Sequence, residues 1–282
     1  MNSNQQQADY WSSEPGRKWI TFENELDLVF EAVNAALIQR ANPQPGEHVL
    51  DIGCGTGATA RAFAPHLAPA GSITALDISE PLLEQARSRA VEGAVTSRYH
   101  LVDAQNETIP DAPFDLVTSR FGVMFFSDPV VAFKNIREHL RPGGRMVVAA
   151  WSNISGNPWF EEPRNGAVDQ LGPMDASDPH APGPLAFQDI ARVTGLLKDA
   201  GFQNVVGEET VVTLSHPGPL ERVASLASNI GPAARVLKKY KGGPQDIEAI
   251  KSFVHKKFLP FETPGAVLIP ARLNFFLGEN AD

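Results

Sequence analysis

The stretch VLDIGCGTGATA, residues 49–60, decides how the chain is read. An apolar run ends at Asp51, and Gly53, Gly55 and Gly57 then stand on alternate positions. Glycine has no Cβ and accepts positive φ, so a turn built this way lets a ligand lie directly against the main chain. Three ligand chemistries suit such a strand-to-helix turn: a dinucleotide, a nucleotide phosphate, or another molecule that carries adenosine. Gly53, Gly55 and Ala58 satisfy the relaxed dinucleotide fingerprint. The phosphate-loop reading fails, because no Gly-Lys-Ser/Thr follows and the turn holds no lysine.

Outward from this turn the chain alternates short apolar strands with helices. The strands read HVLDIG (48–53), SITALDIS (72–79), SRYHLVDA (97–104), FDLVTSRF (114–121) and GRMVVAAW (144–151), with helices at 57–68, 80–92 and 128–140 between them. Ser79 ahead of Glu80-Pro81 and Asp128 ahead of Pro129 suit helix caps, and Arg141-Pro142-Gly143-Gly144 is a helix stop and tight turn. Such alternation predicts a parallel sheet covered on both faces, with its ligand crevice at the carboxyl ends of the strands. Upstream, Phe22, Leu26, Val29, Phe30, Val33 and Leu37 predict one amphipathic helix over 22–38. Beyond Trp151 a Pro/Gly-rich stretch carries one short helix near 159–171. It is followed by a helix at 188–200, a strand from 202, a helical pair at 219–259 and a last strand, VLIPARLNFFLG.

Acids at the strand tips separate the ligands. Asp51 beside a diphosphate would repel it, whereas beside an ammonium or sulfonium it is favourable. Asp77 closes the second strand, where a carboxylate accepts from both ribose hydroxyls. Asp103 closes the third, placed for an exocyclic adenine amine. A cationic, adenosine-bearing ligand fits this set better than a dinucleotide.

Composition narrows the setting. A chain of 282 residues, 43% hydrophobic and 20% charged, is ordinary for a globular protein. The formal charge of −9 disfavours a nucleic-acid partner, which normally needs a basic field. No apolar run is long enough to span a bilayer, and MNSNQQQADYW lacks the features of a signal peptide, so a cytoplasmic protein is expected. Cys54 is the single cysteine, which excludes an internal disulfide.

VLDIGCGTG, ALDIS, the acid of LVDAQ and FDLVTSRFGVMFFSDPVVAFKNIREHLRPGGRMVVAAW together resemble the class I S-adenosylmethionine-dependent methyltransferases, in the branch of the ubiquinone/menaquinone C-methyltransferases. The likeness is strong over 45–151 and looser over about 20–215. It implies a Rossmann-like α/β fold with a seven-stranded, mostly parallel sheet, helices on both faces, an N-terminal helix and an inserted helical cap. It implies S-adenosyl-L-methionine as cofactor and a small organic molecule as methyl acceptor. Asp51, Gly53, Cys54, Gly55 and Gly57 would hold the amino-acid part of the cofactor. Asp77 would take the ribose, Ile78 would pack on the adenine, and Asp103 and Ala104 would sit at the adenine edge. Arg120 and Phe121 would floor the pocket, with Tyr10, Trp11 and Trp19 closing over it. Residues 1–44 would form the cap segment, 45–151 the cofactor core, and 152–282 the rest of the same domain with insertions at 152–187 and 216–265. A homodimer is an open expectation.

Bland readings stand beside these. Asp77 and Asp103 also suit cap or turn roles, Arg120 a salt bridge, and Cys54 simple packing, since no base lies near it. A general base is optional for a methyl donor that is already activated; His180, in the Pro-rich insertion, is the weak candidate. Arg235, Lys238, Lys239, Lys241, Lys251, Lys256 and Lys257 form either a solvated helix face or an attractor for an anionic substrate. An NAD-dependent oxidoreductase and a non-catalytic cofactor-binding subunit are the alternative functions.

Overall fold

The computed structural model describes every residue except 1–3, 91, 92, 94, 176, 177 and 282. Eight strands form one sheet: β1 (His48–Ile52), β2 (Ser72–Asp77), β3 (Thr96–Leu101), β4 (Phe114–Arg120), β5 (Leu140–Trp151), β6 (Gln203–His216), the two-residue β7 (Glu262–Thr263) and β8 (Ala266–Glu279). Their order is β3-β2-β1-β4-β5-β8-β6, with β7 paired to β8 outside that path. The first five strands are parallel, and β8 enters antiparallel between β5 and β6. The apolar end of the chain thus completes the sheet. β1 and β4 lie at the point where the strand order reverses, which is where an open α/β sheet leaves a crevice.

Helices explain why the central strands read as nearly continuous apolar runs. Every residue of β1 after His48 is buried, and so is every residue of β4 before Arg120. Helices α1 (Gln5–Trp11), α2 (Glu14–Thr21), α3 (Glu23–Val29) and α4 (Glu31–Ala41) precede the sheet. Within it come α5 (Ala58–Leu67), α6 (Glu80–Ser88), α7 (Pro129–Glu138), α8 (Pro158–Leu171) and α9 (Ile190–Asp199), then α10 (Leu220–Asn229), α11 (Gly231–Tyr240) and α12 (Pro244–Phe258). The two expected insertions meet: α8 packs on α11 and α12, and α10 on α12.

Five sequence expectations change in detail. The helix expected over 22–38 is two, because the chain bends at Phe30 (φ −99°, ψ 11°) and buries that ring. Upstream of it, where no helix was expected, Gln5–Trp11 and Glu14–Thr21 are helical, as α1 and α2. The expected pair at 219–259 is three helices, since the chain is extended at Ile230 and turns at Gly231 (φ +66°), with Pro232 in the first turn of α11. Ser79 does not cap α6 with its side chain; its hydroxyl donates to Trp11 O at 3.0 Å. The helix expected over 80–92 ends at Ser88, and positions 91 and 92 lie outside the described residues. Asp128 does cap α7, accepting from the Val131 N–H at 3.1 Å.

Candidate functional site

Backbone geometry shapes the crevice first. Gly53, Gly55 and Gly57 all hold left-handed φ, +67°, +55° and +80°. A Cβ on Gly53 would stand 2.7 Å from Gly122 Cα, and one on Gly122 only 2.5 Å from Ile52 O. The turns after β1 and β4 therefore touch main chain to main chain. Ser119 Oγ fixes the contact, donating to Ile52 O at 2.7 Å and accepting from the Gly122 N–H at 3.1 Å. Gly57 does a different job: its missing Cβ admits Ala86 and Tyr99 at 3.3 and 3.5 Å. A Cβ on Gly55 would face open space, with Trp19 Nε1 3.8 Å away.

That space is a cavity of about 510 Å³ at the strand tips. Of the residues expected in the site, Gly53, Cys54, Gly55, Asp77, Ile78 and Asp103 line it, and so do Ala104, Arg120, Phe121, Tyr10, Trp11 and Trp19. Asp51 and Gly57 lie behind this surface. His180 sits in an exposed turn away from the lining, and no histidine appears among the described lining residues.

Charge at the strand tips is held in a defined way. Asp77 Oδ2 accepts from the Gly55 N–H at 2.8 Å and Oδ1 from the Ser79 N–H at 2.9 Å, so one carboxylate ties the glycine turn to the start of α6. Burial pushes Asp77 up to about 6 despite these donors. Asp51 is fully buried and neither of its oxygens has a hydrogen-bond partner. Burial pushes it up to about 7; Arg120 pulls against that shift and Asp77 adds to it. Arg120 Nη1 is likewise buried without a partner, and its guanidinium lies 5.5 Å from the Phe30 ring centre. An unpartnered cationic nitrogen on the lining and an unpartnered carboxyl just behind it thus stand at the same end of the cavity. Burial, with Asp77 and Asp51 adding, drives the Cys54 thiol well up, so it is a packing residue and not a nucleophile. Asp103 is already engaged: Oδ1 accepts from Asn4 Nδ2 at 2.7 Å and the Gln105 N–H at 3.0 Å, and Oδ2 from Asn106 Nδ2 at 2.8 Å.

Aromatic rings make the remainder. Phe121 stacks on Trp151 at 4.8 Å, Trp151 meets Phe160 at 4.3 Å, and Phe30 sets its edge against Phe121, Trp151 and Trp159. Overhead, Trp19 stacks parallel to Phe30 at 6.2 Å, while Trp11 bridges Trp19 and Phe125. Sequence reasoning missed Asn4, Phe125 and the cavity role of Trp151. Trp151 was recoverable, being the carboxyl-end residue of the strand beside β4. Asn4 was not, since a polar tail carries no periodic signal.

A family model described as a methyltransferase domain matches residues 49–144. The ubiquinone/menaquinone biosynthesis C-methyltransferase UbiE of Cupriavidus metallidurans is 38% identical over 117 residues, 42% of this chain and 48% of the relative. The UbiE of Cupriavidus necator is 33% identical over 181 residues, 60% of this chain and 72% of the relative. The chain spans about half the length of the first of these. Among solved structures, phosphoethanolamine N-methyltransferase 2 of Haemonchus contortus, with phosphomonomethylethanolamine and S-adenosylhomocysteine, superposes with a TM-score of 0.53 at 20% identity, over 89% of this chain and 52% of that one. At that identity the likeness is one of fold.

Proposed function

The chain belongs to the class I S-adenosylmethionine-dependent methyltransferases, in their UbiE-like branch, and on that premise we propose that it moves a methyl group from S-adenosylmethionine to a small organic acceptor. One observation carries the reading. Arg120 Nη1, buried without a partner on the lining, and the Asp51 carboxylate, buried without a partner just behind the glycine turn, match the carboxylate and ammonium of an amino acid, Asp51 acting through the turn's backbone and water. Carboxylates at this turn fit a cationic ligand and oppose a diphosphate.

The residues present fit the cofactor. Asp77 would accept from ribose hydroxyls on the lone pairs that Gly55 and Ser79 leave free. Ile78, Leu82, Val102 and Phe125 offer the adenine an apolar slot. Asp51 and Arg120 would hold the amino-acid end. Asp103, engaged by Asn4, would act at the adenine edge by orienting α1 as much as by direct contact. When bound, the cofactor supplies an electrophilic methyl group on a sulfonium. The protein's share is alignment and dehydration. Trp11 and Trp19 roof the site, Phe121 and Trp151 wall it, and their ring faces favour positive charge nearby. A small molecule fits this enclosed chamber better than a polymer, and the lone buried cysteine suits a cytoplasmic setting.

The test is calorimetry with S-adenosylhomocysteine and with NADH, followed by a methyl-transfer assay over a panel of aromatic acceptors. Micromolar binding of the first and none of the second is expected. The reverse order would end the proposal.

A further inference from the structure

Seven cationic side chains fall between 235 and 257, and the fold sorts them. Lys239 pairs with Asp175 at 2.9 Å, Lys251 with Glu248 at 2.7 Å, and Lys257 faces Glu162 at 3.9 Å. Arg235, Lys238 and Lys241 instead line the cavity. Among the described residues none of these three has an ion pair or a side-chain hydrogen bond. They stand three residues apart, so one face of α11 and its C-cap presents all three.

Elsewhere the lining is differently charged. Asp77 and Asp103 lie at the strand tips, and on the outer wall the one carboxylate among the described lining residues, Glu14, is met by Lys18 at 3.3 Å. The cavity therefore has an acidic cofactor end and a cationic face on α11, joined by aromatic rings. At its start α11 abuts those rings: a Cβ on Gly231 would stand 3.1 Å from Phe160. At about 1.5 Å per residue, Lys238 and Lys241 stand roughly 10 and 15 Å along the helix from that contact.

Resting on the methyl-transfer reading above, we infer that the acceptor is a flat, apolar molecule of two or more rings that carries a carboxylate or phosphate at one end. Its rings lie against the aromatic wall of Phe30, Phe121, Trp151 and Phe160, and its anion meets Arg235, Lys238 and Lys241. The rings supply burial and the cations supply orientation, presenting the neutral end of the molecule to the glycine turn. A buried ring system of this size gains most of its affinity from area. Arg235, Lys238 and Lys241 are exposed at the cavity rim, so an anion held among them adds a salt-sensitive increment and fixes which end enters first.

The experiment uses 4'-hydroxybiphenyl-4-carboxylate, its methyl ester, 4'-hydroxybiphenyl-4-yl phosphate and glutarate. Binding is followed by quenching of tryptophan fluorescence, with and without S-adenosylhomocysteine. The two anionic biphenyls are expected to bind about tenfold tighter than the ester at low salt, with glutarate not binding. The stronger of the two anions tells carboxylate from phosphate. The preference should collapse in 0.5 M salt and in R235Q/K238Q/K241Q, and persist in K251Q/K256Q/K257Q. Unchanged S-adenosylhomocysteine affinity in the first variant shows that it is folded. Equal affinity for acid and ester in the wild type, or a preference that survives R235Q/K238Q/K241Q, overturns the inference. Failure to bind S-adenosylhomocysteine at all would instead count against the function proposed above, while the cofactor-free arm still decides the charge preference.

Discussion

Asn4 donates its side-chain amide to Asp103 Oδ1 at 2.7 Å and accepts from the Ser127 N–H at 3.3 Å, so one residue ahead of α1 clips the N-terminal helix to the turns after β3 and β4. The Ser79 hydroxyl holds the other end of α1 through Trp11 O. These ties keep Tyr10 and Trp11 over the cavity. Asn4→Asp places a second carboxylate beside Asp103. A hydrogen bond to a charged group contributes about 1.5–3 kcal/mol, so release of S-adenosylhomocysteine should quicken about tenfold or more. Stopped-flow tryptophan fluorescence measures this. An unchanged off-rate would mean that α1 does not control exit.

Asp77→Ala removes the acceptor for two buried N–H groups and for the expected ribose hydroxyls. Affinity for S-adenosylhomocysteine should fall more than about a hundredfold, as for loss of two or more charge-assisted hydrogen bonds. A thermal melt run alongside separates ligand loss from unfolding. Retention of wild-type affinity in the folded variant would remove Asp77 from the cofactor site.

Asp51 titrates at about 7 in the fold against an ordinary value of 3.8. Between those values the unfolded chain gives up its proton first. This group therefore lowers the stability of the ligand-free protein as pH rises through that window, with no further change above it. Asp77 acts in the same direction, over a window that ends near 6. A bound ammonium prefers the carboxylate, so binding should expel a proton near pH 6 and tighten towards pH 8. Calorimetry in two buffers of different ionisation enthalpy measures the proton count. Release should vanish in Asp51→Asn, and proton uptake by the wild type would contradict the assignment.

Gly122→Ala tests the contact between the two turns. Its Cβ would meet Ile52 O at 2.5 Å and Gly53 Cα at 2.8 Å, backbone atoms that cannot step aside. Overpacking of this kind costs about 1–3 kcal/mol, so the melting midpoint should drop by several degrees and cofactor affinity with it. Gly143→Ala is the control for a positive-φ glycine in open space; it should lower stability with affinity intact. Normal affinity in Gly122→Ala would show that the turns need not touch.

The sheet and its glycine turn were legible because they obey short-range rules. Apolar strands with period-matched helices, a cap at Asp128 and acids at the strand tips all act within a few residues of themselves. Phe30 was harder. The apolar spacing of 22–38 runs straight through it, and only the tertiary demand for its ring among Phe121, Trp151 and Trp159 bends the chain there. How near Asp51 comes to the cavity is not written in residue order. Its place one strand position below the turn buries it behind the lining, a distinction of a few ångströms that residue order does not carry. The three cavity-facing cations could not be told from their neighbours, because which face of α11 looks inward depends on how α8 receives it.

The entry of β8 between β5 and β6 has a consequence for biosynthesis. On a ribosome, β5 emerges long before its second neighbour, so the backbone groups of Met146, Val148 and Ala150, which face β8, wait unsatisfied until the distal strand is translated. Nascent chains stalled ahead of residue 266 should thus be the species that recruit chaperones, and the acceptor chamber cannot close before that strand docks.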